Sequence, residues 1–270
     1  MSGWDTATLA QEFLDARPKG APVTPPSHRY AGWNLAAAYE VGNAIFNKRR
    51  ETGWNPVGRK IGFTNKTIWP SLGMDTVIWA YTYEQTVRYA ENNRAELSLA
   101  NTHSCLIEPE IVFKLKAPIT AADTGDVAIL EKVEWLALGY EVVDCNFPDW
   151  KFIPMDAVAD FGLHFRLIIG DTFPVTDPEK LARELRSFRA TLFKNGKVAA
   201  QGTGSDVLDS PALALGWLAR TLDQQGAAPL VAGEIVTTGT ITPAPIVQPG
   251  ELWHTSLEGI NLSPLTLNFI

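Results

Sequence analysis

Ile107-Glu108-Pro109-Glu110-Ile111-Val112-Phe113 is the stretch on which the reading of this chain turns. Two carboxylates two residues apart sit in a run that otherwise has the character of a strand. At a strand's period of two, Glu108 and Glu110 share one face while Pro109 and Ile111 take the other. If the acidic face looks inward, two carboxylates occupy a small space and their repulsion makes ionisation costly. A hard divalent cation removes that cost, because carboxylate oxygens are its preferred ligands. On spacing alone, an exposed edge strand with solvated glutamates is the simpler account, and Pro109 is tolerated there too. A third acid is needed to decide. Downstream, Leu138-Gly139-Tyr140-Glu141-Val142-Val143-Asp144 has a strand pattern in which Glu141 stands opposite an apolar face. Packing does not call for an acid at that position, so Glu141 completes the set.

Outward from this pair, Gly58-Arg59-Lys60-Ile61-Gly62-Phe63-Thr64 places a lysine among small and apolar neighbours. Buried there, Lys60 needs an anion or a lowered pKa; otherwise it reaches solvent. Ile68 to Tyr83 is rich in Trp and Tyr, suited to core or to an apolar pocket wall. Asp160 and His164 fall in an apolar stretch that runs to Gly170, where a lone histidine is more often a hydrogen-bonded core group than a catalyst. Helical spacing marks residues 5–16, and Asn34 caps a second helical stripe that ends in Lys48-Arg49-Arg50, basic residues suited to the helix's negative pole. Between them, Pro18 to Pro26 is predicted to be an extended connector, a tether or a segment laid over a site. Val127 to Leu138 is predicted to be helical. Asn195-Gly196 predicts a hairpin turn, and Ser210-Pro211 the start of a helix that stops at Gly226. Gly233 to Thr240 is expected to form a strand, and two final strands flank Gly259. The architecture that follows is α+β, a curled β-rich core with peripheral helices. Residues 1–33 are expected to form an N-terminal helix and connector, and residues 34–270 a single domain.

Composition narrows the function classes. The chain has 270 residues, 46% hydrophobic and 20% charged, ordinary for a globular protein with a sizeable core. A formal charge of −7, with no basic run beyond Lys48-Arg49-Arg50, argues against a nucleic-acid partner. No apolar stretch approaches the roughly 18–20 residues of a membrane span, and no secretory signal is visible. Cys105 and Cys145 lack metal-type spacing and fit reduced thiols in the cytoplasm.

Taken together, these segments resemble the hydratase/decarboxylase branch of the fumarylacetoacetate hydrolase superfamily. The carriers are Gly58 to Thr64, Ile107 to Ile111, Tyr140 to Asp144 with Asp149-Trp150-Lys151, and Ala159-Asp160. Val207 to Leu218 and Gly233 to Thr240 complete the series. No single block is specific, but their order and spacing are. The resemblance implies a β-roll that assembles into homo-oligomers and acts in aromatic-compound breakdown. It also implies that Glu108, Glu110 and Glu141 hold Mg²⁺ or Mn²⁺ and that Lys60 lies in the site. Thr238, Gly239 and Thr240 match a small-residue segment near the carboxylate end of a 2-oxo acid substrate, with Trp79 in the pocket wall. Asp160 and His164 are the further candidates for proton transfer.

The implied activity is hydration of a 2-hydroxy-2,4-dienoate, or its 2-oxo tautomer, to a 4-hydroxy-2-oxo acid. Decarboxylation of an unsaturated 2-oxo diacid is the alternative; it needs a cation for the distal carboxylate, and Arg59 and Lys151 are the candidates. Keto–enol tautomerisation needs only the metal and one proton carrier. Carbon–carbon hydrolysis is disfavoured, because relatives that perform it carry a His-Glu pair after the site lysine where this chain has Phe63-Thr64-Asn65. A non-catalytic protein would show a lost ligand position, and none is lost. Two departures stand out. Phe161-Gly162-Leu163-His164 replaces an Asn-Ala-Ser-Ser-like segment, and Met74 to Ala80 is more aromatic than the usual Pro-Phe-Gly-like loop.

Overall fold

The computed structural model describes residues 3–270. Its strands are β1 (Pro56–Gly62), β2 (Ile78–Tyr83), β3 (Val87–Tyr89), β4 (Arg94–Leu97), β5 (Cys105–Leu115), β6 (Val133–Asp144) and β7 (His164–Ile169). There follow β8 (Phe173–Pro174), β9 (Arg189–Lys194), β10 (Lys197–Thr203), β11 (Ile235–Thr237), β12 (Leu252–Glu258) and β13 (Leu265–Phe269). One sheet runs β2-β1-β11-β5-β6-β7-β3, with β8 attached to β6; the second runs β10-β9-β12-β13-β4. Tyr140 pins them together: its hydroxyl lies 2.8 Å from Thr255 Oγ1 and 2.9 Å from the Leu265 carbonyl, amid a shared apolar cluster with Trp253 and Phe269. The α+β, β-rich architecture expected from the sequence is the one observed.

Helices surround this core: α1 (Thr6–Ala16), α2 (Pro26–Arg29), α3 (Leu35–Glu51), α4 (Trp69–Leu72), α5 (Asp126–Leu130), α6 (Pro154–Ala159), α7 (Pro178–Ser187) and α8 (Pro211–Gln224). Capping sets their starts. Asn34 Oδ1 accepts from the Ala37 amide at α3, and Ser210 Oγ accepts from Ala212 at α8. Helices α1, α3 and α6 meet in one apolar cluster built on Phe13, Val41, Ile45, Val158 and Phe147. Among the described residues, no helix is long and apolar enough to cross a membrane.

The chain departs from expectation in four places. The helix predicted over Val127–Leu138 is only α5, five residues long, and Val133 onward already pairs with β5. Both faces of β6 are buried, so its apolar residues lack the alternation that marks a half-exposed strand. The predicted strand at Gly233–Thr240 shrinks to Ile235–Thr237, because the Thr238-Gly239-Thr240 backbone turns away to serve the site below. The connector carries a 3₁₀ turn at Arg17–Lys19 and the short helix α2, with extended chain between them. Finally, Arg49 does not decorate the end of α3 but turns inward, 7% exposed.

Candidate active site

The sheet order builds the site. In the β5–β6 hairpin Glu108 lies directly opposite Glu141, and Glu110 opposite Gly139. Cross-strand neighbours of this kind have Cβ atoms about 4.5–5.5 Å apart, and like charges so placed repel. One carboxylate oxygen from each of Glu108, Glu110 and Glu141 lies within 4.8 Å of the other two. Glu110 and Glu141 are fully buried, while Glu108 is half-buried and faces a cavity of about 240 Å³.

The neighbouring strands supply counter-charge and donors. Parallel pairing of β1 with β11 sets Lys60 beside Thr237. Lys60 Nζ sits 3.1 Å from Glu141 Oε2 and donates to the Gly162 carbonyl at 3.0 Å. Glu110 Oε2 accepts from the Thr237 hydroxyl and, at 2.8 Å, from the Gly239 amide. Gly239 is needed for that amide to arrive: its φ is +92°, and a Cβ would collide with Thr64 Oγ1. Across the hairpin, His164 Nδ1 lies 2.7 Å from Glu141 Oε1, and Nε2 lies 2.9 Å from Thr86 Oγ1.

Titration follows from this crowding. Burial works against the charge on Lys60, but the carboxylates of Glu141, Glu108 and Glu110 outweigh it and hold the ammonium above its ordinary pKa. Burial also opposes the charge on Glu141, yet Lys60 and His164 pull its pKa below the usual value. Burial, offset in part by Lys60 and reinforced by Glu141, pushes Glu108 up to about 7. The same burial with two acidic neighbours lifts Glu110 well above the carboxylate range. Burial lowers the His164 pKa despite Glu141. The Nδ1 contact with Glu141 Oε1 fixes that carboxylate's orientation.

These residues fit a divalent cation. Glu110 Oε1 is buried with no hydrogen-bond partner, and the clustered oxygens are hard, anionic donors that repel one another.

The sequence candidates do not all converge. Lys60, Glu108, Gly239 and Thr240 line the cavity, and Glu110 and Glu141 stand behind it. Thr238 is buried, its hydroxyl donating to the Ile111 carbonyl. Trp79 lies outside the lining, stacked on Tyr39 and donating to Gln225 at 2.9 Å. Asp160 also lies outside it, 2.8 Å from Arg17 Nη2. Arg59 points away to Glu234 at 3.4 Å, and Lys151 is exposed beside Asp149. No local sequence signal gives the roles of the Gly162 carbonyl, the Thr237 hydroxyl or the Trp150 and Phe152 wall, since each depends on which segments become neighbours.

This fold, with its cluster of three acids, is of a known kind: the chain belongs to the fumarylacetoacetate hydrolase family, residues 77–263 matching the pattern described as fumarylacetoacetate (FAA) hydrolase C-terminal. It is similar to 2-hydroxyhexa-2,4-dienoate hydratase of Comamonas testosteroni, 28% identical over 253 residues, 94% of each chain. It is also similar to 4-oxalocrotonate decarboxylase of Pseudomonas sp. (strain CF600), 27% identical over 253 residues, 93% of this chain and 92% of that one. A solved structure of 4-oxalocrotonate decarboxylase from Pseudomonas putida G7, complexed with magnesium and adipate, superposes with a TM-score of 0.88. That pair is 25% identical, over 98% of this chain and 97% of that one.

Proposed function

We propose that this protein is a divalent-metal-dependent hydro-lyase, adding water to a 2-hydroxy-2,4-dienoate or 2-oxo-alkenoate to give a 4-hydroxy-2-oxo acid. The observation that carries this reading is the character of the cavity beside the acid cluster. Its far wall is Phe63, Ile68, Val143, Trp150, Phe152 and Leu163, and Lys60 is its one cation among the described residues. An apolar substrate tail fits such a wall. A distal carboxylate buried there would meet no counter-charge, and Arg59 and Lys151, the candidates for that role, point elsewhere.

Glu108, Glu110 and Glu141 would hold Mg²⁺ or Mn²⁺. A bound cation would supply Lewis acidity, favouring negative charge on the C2 oxygen of the substrate. The protein's own groups do the rest. His164 keeps Glu141 oriented. Lys60 Nζ, held by Gly162 and Glu141, sets a positive charge where the cavity meets the acid cluster and carries a transferable proton. Protonation of the dienol's terminal carbon gives the conjugated enone to which water adds at C4. Phe63, Ile68 and Phe152 keep bulk water from the substrate tail.

Decarboxylation of an unsaturated 2-oxo diacid is the second reading, supported by the overall likeness to the decarboxylase structure. Proton NMR of the protein with 2-hydroxypenta-2,4-dienoate, with Mg²⁺ and then with chelator, separates the two. Metal-dependent formation of 4-hydroxy-2-oxopentanoate is expected. An inert dienoate together with CO₂ release from a 4-oxalocrotonate-type diacid would replace the hydratase reading with the second one.

A further inference from the structure

A larger cavity, about 800 Å³, lies on the other side of the Phe161-Gly162-Leu163 turn, between α1, the last turn of α3, β4 and the start of β7. Its size falls within the range of small-molecule sites. Five cationic residues line it (Arg17, Lys48, Arg49, Arg88 and Arg166) against two acids, Asp15 and Glu51.

Arg49 is the informative residue. It is 7% exposed, it forms no ion pair among the described residues, and its Nε and Nη1 have no hydrogen-bond partner. Aromatic faces hold the guanidinium instead. Its carbon is 3.7 Å from the Phe161 ring centroid, 4.4 Å from that of Trp54 and 4.7 Å from that of Tyr83. Arg166, stacked at 4.3 Å over Phe165, also has an unpartnered Nε. A buried guanidinium without an anion is costly, and its planar fork matches two oxygens of an anion such as a carboxylate. The flat rings beside it offer an apolar surface to whatever carries that carboxylate.

We propose that this cavity is a second ligand site, separate from the acid cluster, for a small organic anion: a carboxylate on a flat apolar body. The site adjoins the first through two residues. Phe161, in its wall, precedes the Gly162 carbonyl that holds Lys60, and His164, at its back, holds Glu141.

The test is calorimetric titration of benzoate into the Mg²⁺-loaded full chain, with saturating oxalate present to occupy the acid cluster. Benzamide serves as the uncharged control. Benzoate is expected to bind with oxalate in place, and benzamide at least about tenfold more weakly, the margin one lost charge-assisted contact supplies. Arg49→Met should weaken benzoate by a similar factor. Because Arg49 also supports the turn, Ala100→Trp provides a second variant that fills the cavity from its rim and leaves every charge in place; it too should lose benzoate. The proposal falls if oxalate abolishes benzoate binding, if benzoate does not bind at millimolar concentration, or if both variants bind it as well as the parent. It also falls if Ala100→Trp changes the sedimenting mass, since the cavity would then be a contact between copies of this chain.

Discussion

Glu108 and Glu141 face each other across one hairpin, and that single juxtaposition governs the acid cluster. Removing one charge should act oppositely on folding and on metal binding. Glu108→Gln is expected to lower Mg²⁺ affinity by roughly 100-fold or more, since even outer-shell changes cost 10–100-fold. The metal-free variant should melt higher than the parent, by about 2–4 °C for each kcal/mol of repulsion relieved. Calorimetric titration and a thermal melt in chelator measure the two effects, and unchanged Mg²⁺ affinity would remove Glu108 from the ligand set. The pH dependence has a definite sign. Glu108 and Glu110 have folded pKa values raised above the unfolded one, so the metal-free fold holds extra protons between about 4.5 and 7. Its stability therefore falls as pH rises through that window, while Mg²⁺ affinity rises. Melts at pH 5 to 8 with chelator should show this decline, and Glu108→Gln should flatten it. The two acids of β5 and the third of β6 were legible in the sequence because side-chain alternation is a local property. Their donors were not, because Gly239 and Thr237 reach Glu110 only through the pairing of β11 with β5.

At the scale of elements, the turn after α6 is the unusual feature. Phe161, Gly162 and Leu163 have φ of 56°, 63° and 61°, three consecutive residues in the left-handed region. For the two non-glycines this costs about 1–2 kcal/mol each, a strain of the kind that gathers at functional sites. The turn's product is the Gly162 carbonyl, aimed at Lys60. A Cβ at Gly162 would sit 2.9 Å from Lys60 Cδ and 3.1 Å from the Ala80 Cβ. Gly162→Ala should therefore displace the lysine and lower kcat about 10- to 100-fold, the scale of a small misplacement in an active site. Mg²⁺ affinity should stay near the parent's, because the acids are held by other strands. A parallel loss of both would mean that the turn supports the whole sheet, not the lysine alone. Sequence reading placed the departure from the family pattern at these residues but could not show its geometry. A left-handed Phe and Leu have no compositional signature, and His164 beside them serves Glu141 from within the core. The helix misplaced over Val127–Leu138 has the complementary cause: a strand buried on both faces carries the same apolar run as a buried helix.

Across the whole molecule, the site's parts differ in how far apart they lie along the chain. All three acids belong to one hairpin, β5–β6. Lys60 and Gly239 arrive on β1 and beyond β11, strands that pair in parallel although most of the chain lies between them. Strands near in sequence pair sooner than distant parallel ones. During refolding, then, β5–β6 is expected to gather three like charges before Lys60 and the Gly239 amide have arrived to offset them. An ion able to bind the bare hairpin would act on the rate-limiting step. Mg²⁺ present from the start of refolding should accelerate it, as stopped-flow tryptophan fluorescence against a chelator control would show, and Glu108→Gln should abolish the acceleration. Were Mg²⁺ only to slow unfolding, the acids would come together after β1 docks, and the ion would act as a late lock on a finished sheet.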